Sequence, residues 1–523
     1  MRPSLRVYGA SVTTRVLSIC ALVLLAVPAS ADVALPPILG DHMVLQRETP
    51  VRIWGTADVG EDVAVEFARQ EKKTTADGEG RWSVTLDPLA AGGPFELTVH
   101  GKKTITIRDV LVGEVWVGAG QSNMAGNVGH YAKVDPVLER LAAASPYARI
   151  RLTNRGPWRE ANDKNVRGFS ALLFAFGVKL HEELDVPVGL MVGAAGGTPS
   201  GAWLSEAALA ADPAIQELIE KYAATYPALL RKYEEVTLPA FEKAAKNAVA
   251  AGKPAPRTPL PPIRPGTVNN KPVGHLYEVY IRGMQPYTIR GVLWDQGESG
   301  TQVGGVDQYT LMGALIRGWR KEWGQGDFPF IYVQKPSGEG CAFDPTDPVT
   351  ARAEAFAPLP AAPDQAGDGR NVEMHLRIRE YPNTGMVISS DLGSGIHPEN
   401  KSGYGSRAAT VALGMVYEKP VEYYGPTYET HVVEGSNVRV SFAHVGRGLA
   451  QKHGDTLQGF ALAGEDKQFR WADARIDGAT VVLSSPEVTK PVAVRYAWGT
   501  KRAWANLFNA DGLPAMTFRT DAW

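Results

Sequence analysis

The chain has 523 residues, 44% hydrophobic and 21% charged, proportions that exclude wholesale disorder and fibrous architectures. Basic and acidic residues number 54 and 56, for a net charge of -2, so the composition offers no basic face for nucleic acid. The length exceeds one ordinary domain and suffices for a sizeable core.

The amino terminus reads as an export signal. Arg2, Arg6 and Arg15 supply positive charge, Val16 to Val27 is an apolar run, and Ala29-Ser30-Ala31 is a small-residue cleavage site. The run is too short for a membrane span, and no other run approaches that length. A soluble, exported protein of the bacterial periplasm or cell exterior is expected, with residues 1–31 removed. Of the two cysteines, Cys20 leaves with the signal and Cys341 remains. No intrachain disulfide is then possible, and Cys341 reads as a bystander thiol.

Residues 32–112 contain short strand-like runs, among them Val51-Arg52-Ile53-Trp54, Val63 to Phe67, Trp82 to Leu86 and Phe95 to Val99. Asp77-Gly78 and Gly92-Gly93-Pro94 punctuate them. The pattern predicts a small β-sandwich-like module. Over 113–418 the apolar runs Val110–Val117, Val186–Val192, Ile289–Trp294, Phe328–Val333 and Met386–Ser389 alternate with helical segments. The clearest helices are Phe169–Leu184, Tyr309–Trp323 and Ser402–Tyr417. Alternation of this kind predicts an α/β domain with a parallel sheet between helices, its ligand site beyond the carboxyl ends of the strands. Residues 205–284 interrupt it with an Ala/Glu/Lys-rich helical stretch and a proline-rich loop, Pro254 to Pro272. Residues 419–523 return to short strands, a second β-module.

Chemistry-bearing segments follow four of the core runs. Gly118-Ala119-Gly120-Gln121-Ser122-Asn123-Met124 puts a serine on a glycine-rich turn between strand and helix, where Oγ is exposed and helix-start N–H groups can stabilise an oxyanion. Gly-x-Ser-x-Gly is absent from the sequence, which excludes the α/β-hydrolase elbow. Gly193 to Thr198 could offer a further backbone N–H. In Trp294-Asp295-Gln296-Gly297-Glu298-Ser299, the Gln296 amide can donate to an oxyanion and Glu298 adds a carboxylate. Asp391-Leu392-Gly393-Ser394-Gly395-Ile396-His397-Pro398 supplies His397, a candidate general base.

Gly120 to Met124, Gly196-Gly197-Thr198, Trp294 to Ser299 and Ile396 to Lys401 together resemble the sialate O-acetylesterase family of SGNH hydrolases. The flanks resemble it too, in Val44-Leu45-Gln46-Arg47 and Gly92-Gly93-Pro94 on one side and in Asn506 to Asn509, Gly512-Leu513-Pro514 and Phe518 to Asp521 on the other. The resemblance implies a flavodoxin-like core and a serine esterase that removes O-acetyl groups from sugars, without cofactor or metal. Ser122 would be the nucleophile and His397 the base. The N–H of Ser122, a glycine of the Gly196-Gly197 pair and the Gln296 amide would form the oxyanion hole, with Asn123 binding substrate. No His-Glu-x-x-His motif or Cys/His cluster suggests a metal.

One position departs from the pattern. Many relatives carry Asp three residues before the histidine, where this chain has Ser394, and Gly395 stands where an acid often precedes Ile-His-Pro. The orienting acid is therefore open: Glu298 first, Asp391 second, or a Ser-His dyad oriented by a backbone carbonyl. Two other readings stand beside a sialate esterase. One is an esterase of acetylated xylan or another polysaccharide, and the other is a carbohydrate-binding protein with a decayed site.

Overall fold

The structure, a computed structural model, describes residues 32–340, 344–365, 369–499 and 501–523. The segment read as an export signal, 1–31, and Cys341 lie outside the described residues. The apolar run Val110 to Val117 lies within one 17-residue strand, Thr104–Gly120. Its first part alternates between exposed and buried residues, and every residue from Val110 onward is buried. Alternation suits an antiparallel strand with one wet face, and continuous burial suits a parallel strand covered on both faces. The pairing agrees. The first part lies antiparallel to Gly92–His100, and the second lies parallel to Val188–Ala194 and Gly291–Asp295.

That second part is the middle of the core sheet, whose order is Thr384–Val387, Phe330–Val333, Gly291–Asp295, Thr104–Gly120, Val188–Ala194, Tyr147–Thr153 and Arg159–Ala161. Neighbours are parallel except for the last pair. Successive residues face opposite sides of a strand. Trp116, Leu293 and Ile331 accordingly pack under helices Ala171–Leu184 and Lys401–Met415. Val117, Val292, Trp294 and Phe330 pack under helix Gln308–Trp323 on the other side. Each helix starts on a side-chain cap: Ser170 accepts from Leu173 N, Asp307 from Thr310 N, and Asn400 from Gly403 N. This is the α/β architecture expected from the alternation. Tyr147–Thr153 is an addition to the five core strands read from apolar runs.

Antiparallel sheets flank the core. Before it, Asp62–Phe67 pairs with Gln70–Thr75 and Gly92–His100, and Val51–Thr56 pairs with Arg81–Leu86. The boundary expected at 112/113 falls inside the long strand, which belongs to both layers. After the core, one sheet joins Thr427–Glu434, Asn437–Ala443, Thr480–Ser484 and Asp473–Asp477, and another joins Phe469–Trp471, Phe460–Ala463, Ala493–Tyr496 and Phe518–Arg519. The interruption at 205–284 is led by consecutive helical segments, Pro213–Lys232, Tyr233–Thr237 and Leu238–Ala250, in which only Ile215 is buried. Among the described residues no helix is long and apolar enough to cross a membrane.

Glu114 sits where the N-terminal strands meet the core. It is fully buried and accepts hydrogen bonds from Arg47 Nε (2.5 Å), Gln46 Nε2 (3.1 Å), Arg290 Nε (2.8 Å) and Tyr417 OH (2.9 Å). Burial works against its charge, but the two guanidiniums outweigh it and hold the carboxyl below the usual carboxylate range.

Candidate active site

Three core strands end together, at Gly120, Ala194 and Asp295, and the loops after them build the site. The Thr104–Gly120 strand turns sharply at Gly120, whose φ is +129°. A Cβ there would lie 2.1 Å from the Asp295 carbonyl oxygen, because Gln121 N donates to that oxygen at 2.9 Å. The position needs glycine for both its backbone angle and this close approach. Gly120→Ala is expected to lower Tm and displace the following turn, with kcat falling about 10^2-fold or more. Thermal unfolding and steady-state kinetics on the same preparation would show it, and an unperturbed variant would contradict this account of the turn.

The short helix Ser122–Ala125 follows. His397 reaches it from the loop after Thr384–Val387, with Nε2 2.9 Å from Ser122 Oγ. The two residues are 275 positions apart in sequence, so their contact is a product of the fold. His397 is exposed, and among the described residues Ser122 is its one hydrogen-bond partner.

The proposed oxyanion donors surround Ser122 unequally. Gly196 lies against the serine, since a Cβ on it would sit 3.5 Å from Ser122 Cβ. Among the described residues no backbone hydrogen bond engages the N–H of Ser122, Gly196 or Gly197. Gln296 is buried, and its Nε2 donates to the carbonyls of Thr198 (3.2 Å) and Gly300 (3.3 Å). Its amide is thus spent on the loops rather than free for an oxyanion.

Neither carboxylate considered for orienting His397 reaches it. Glu298 Oε1 accepts from Asn123 Nδ2 (2.7 Å) and Lys335 Nζ (2.6 Å), and its Oε2 has no hydrogen bond among the described residues. Burial opposes its charge, and the Lys335 ammonium prevails and keeps its pKa low. Asp391 is fully buried and makes a two-pronged pair with Arg407, at 3.0 and 2.8 Å. Arg407 lies on the helix behind the loop, so the Asp391 carboxylate serves packing. Ser394, at the position where an acid was missed, donates its hydroxyl to Glu354.

Asn123, expected to bind substrate, faces inward and is 1% exposed. Its Nδ2 donates to Glu298 and to the Ile396 carbonyl (3.0 Å), and its Oδ1 accepts from Lys401 Nζ (2.6 Å). Both ends of the amide are committed to the protein. Lys335 and Lys401, two buried cations beneath the site, had no role from sequence, although Lys401 closes the Ile396–Lys401 motif. Lys335 Nζ lies 2.6 Å from both Asp295 Oδ1 and Glu298 Oε1. Despite burial, these carboxylates raise its pKa.

Beyond Thr198 the surface opens into a cavity of about 970 Å³, lined in part by Thr198, Pro199, Asn269, Lys271, His275 and Arg282. Four of these six come from the 205–284 interruption. One trio elsewhere, His42, Asp109 and Glu160, brings ligand atoms within 4.8 Å of one another. Asp109 is already shared by His42 (2.6 Å) and Arg151 (2.8 Å), and a guanidinium at that distance disfavours a metal cation.

Residues 112–235 match the family model described as carbohydrate esterase, sialic acid-specific acetylesterase. The sialate O-acetylesterase of Rattus norvegicus is 26% identical over 517 residues, spanning 88% of this chain and 89% of the rat protein. The Homo sapiens enzyme of that name is 25% identical over 516 residues, spanning 88% and 87%. Among solved structures, a carbohydrate acetylesterase from Xanthomonas citri superposes with a TM-score of 0.71 at 29% identity, over 94% of this chain and 100% of that one.

Proposed function

We propose that this chain, which belongs to the sialate O-acetylesterase family, removes O-acetyl groups from sugars, sialic acids foremost, with Ser122 as nucleophile and His397 as base. The single observation that carries the mechanism is the 2.9 Å contact between His397 Nε2 and Ser122 Oγ at the carboxyl ends of the parallel strands. Ser122 Oγ attacks the acetyl carbonyl carbon while His397 takes its proton. The tetrahedral oxyanion settles against the N–H groups of Ser122 and of Gly196 or Gly197. The carbon–oxygen bond to the sugar breaks, and the imidazolium returns the proton to the departing sugar hydroxyl. Water, deprotonated by His397, then attacks the acetyl-enzyme; the bond from the acetyl carbon to Ser122 Oγ breaks, the imidazolium returns the proton to Oγ, and acetate leaves.

A Ser-His dyad is the reading that fits the hydrogen bonds, since Glu298 and Asp391 are held by Lys335 and Arg407. The cavity past Thr198, the residue after Gly197, is large enough for sugar rings. The arginine-flanked apolar run within residues 1–31 supports export, which would place the reaction on extracytoplasmic glycans.

Acetate release tests the proposal, with 9-O-acetylated sialic acid, acetylated xylan and 4-nitrophenyl acetate as substrates and Ser122→Ala as the control. Activity on the sialic acid that vanishes in the variant is the expected result. Preference for xylan would move the substrate within the class. Silence of a folded sample on all three would refute the esterase mechanism proposed here.

A further inference from the structure

Lys401 is a costly residue to keep where it is. It is 1% exposed, and burial pushes its pKa down to about 7, against the opposing pull of Asp295. Lys335 lowers it further, while Glu298 and Asp135 raise it. It also occupies the first position of helix Lys401–Met415, where the positive end of the helix dipole disfavours a cation. Lys335, one layer away, has two carboxylates within 2.6 Å. Among the described residues Lys401 has no ion pair at all. Its hydrogen-bond acceptor is the neutral Asn123 Oδ1, and the rings of Tyr131 and Tyr404 lie close, their centroids 4.5 and 5.9 Å from Nζ. A buried lysine without a carboxylate partner weakens a fold. Activity often carries such a cost in stability, which makes the residue worth examining for a role at the site.

What Lys401 holds is the amide that joins the two reacting segments. Asn123 directly follows Ser122, and Ile396, whose carbonyl accepts from Asn123 Nδ2 at 3.0 Å, directly precedes His397. A side-chain amide can turn end for end. Turned over, it would aim Oδ1 at the Ile396 carbonyl and the Glu298 carboxylate, two acceptors that repel it. Lys401 Nζ donates to Oδ1, and as an ammonium it has no lone pair to accept from a turned-over Nδ2, so it pins Oδ1 and leaves both Nδ2 hydrogens for Ile396 and Glu298.

We infer that Lys401 is a positioning residue of the esterase: by fixing the Asn123 amide it holds the Ser122 helix and the His397 loop at reacting distance, at a cost to stability. The inference rests on Ser122 and His397 being the reacting pair.

Lys401→Met keeps the length and the apolar stem and removes the donor. The variant would be compared with the parent full-length protein by thermal unfolding, by kinetics on 4-nitrophenyl acetate and by the rate at which a fluorophosphonate probe labels Ser122. Expected are an unchanged or higher Tm, a kcat lower by roughly 10–100-fold at unchanged KM, and labelling slowed in proportion. Asn123→Ala should show the same kinetic loss, and the double variant should be no worse than either single one. Wild-type kcat in Lys401→Met, a Tm that falls together with kcat, or losses that multiply in the double variant would each overturn the inference. If Lys401→Met does not fold, Asn123→Ala decides alone, and wild-type kcat in that variant overturns it. His397→Ala labelling as fast as the parent would instead refute the reacting pair, and that result is read without reference to Lys401.

Discussion

Replacing His397 with Ala is expected to lower kcat for acetate release by roughly 10^4-fold or more while leaving Tm where it was. The two halves of this expectation have separate causes. His397 is exposed, and its one hydrogen bond among the described residues goes to Ser122, so no core contact or buried polar group is lost with it. The kinetic loss follows because a serine hydroxyl is a poor nucleophile without a base in hydrogen-bond contact. Ser122→Ala should be equally damaging, and the double variant no worse than either single one, because the pair acts as a unit. A residual rate above that of water would remain, supplied by the N–H groups of Ser122, Gly196 and Gly197. A loss in His397→Ala of only about 10^2-fold, the scale of ordinary acid–base assistance, would mean that another group can take the proton.

Glu114→Gln is expected to destabilise the fold by about 3–5 kcal/mol at neutral pH, the usual cost of breaking a buried ion pair from one side. The glutamine preserves shape but turns an N–H₂ toward Arg47 or Arg290, and it leaves the two guanidiniums only the exposed Glu48 carboxylate, 3.2 and 3.6 Å away, as counter-charge. The sign of the pH dependence follows from the carboxyl's depressed folded pKa. Its ordinary value is 4.5, so the stabilisation is present in full above that pH. It is lost as pH falls through the lower, folded value. Denaturant unfolding of parent and variant at pH 7 and near pH 3 measures both effects. The gap between the two proteins should narrow in acid, and a variant within about 1 kcal/mol of the parent at pH 7 would show that the cluster carries little.

The sequence disclosed most of the core because its parallel strands are nearly continuous apolar runs. It missed Tyr147–Thr153 for a definite reason. That strand carries Arg149 and Arg151, which break the run, yet Arg151 is 3% exposed because Asp109 and the carbonyl of Ala148 take its guanidinium. A buried charge reads as a surface charge until its partner is seen, and Asp109 lies 42 residues away. The same blindness applied at the site. Ser122 and His397 stood out because each lies in a glycine-containing segment shortly after a recognisable strand. The roles of Glu298, Asp391 and Asn123 were not legible, because each side chain is claimed by a distant cation: Lys335, Arg407 and Lys401. Nothing in local spacing ranks those pairings above a contact with His397.

The 17-residue strand that ends in the Ser122 turn also settles what can be exchanged in this protein. At about 3.3 Å per residue it runs roughly 50–60 Å, and its first part is a rung of the N-terminal sheet. Deleting residues 32–103 would strip Gly92–His100 from that part and leave a bare edge, open to pairing with other chains. Splicing at 112/113 would cut the backbone eight residues before Gly120. The N-terminal strands are thus no detachable appendage, and a swap between relatives has to carry the whole strand, nucleophile turn included. Recombination would be expected to transmit the β-module and the reacting serine as one heritable unit, whatever happens to the C-terminal sheets.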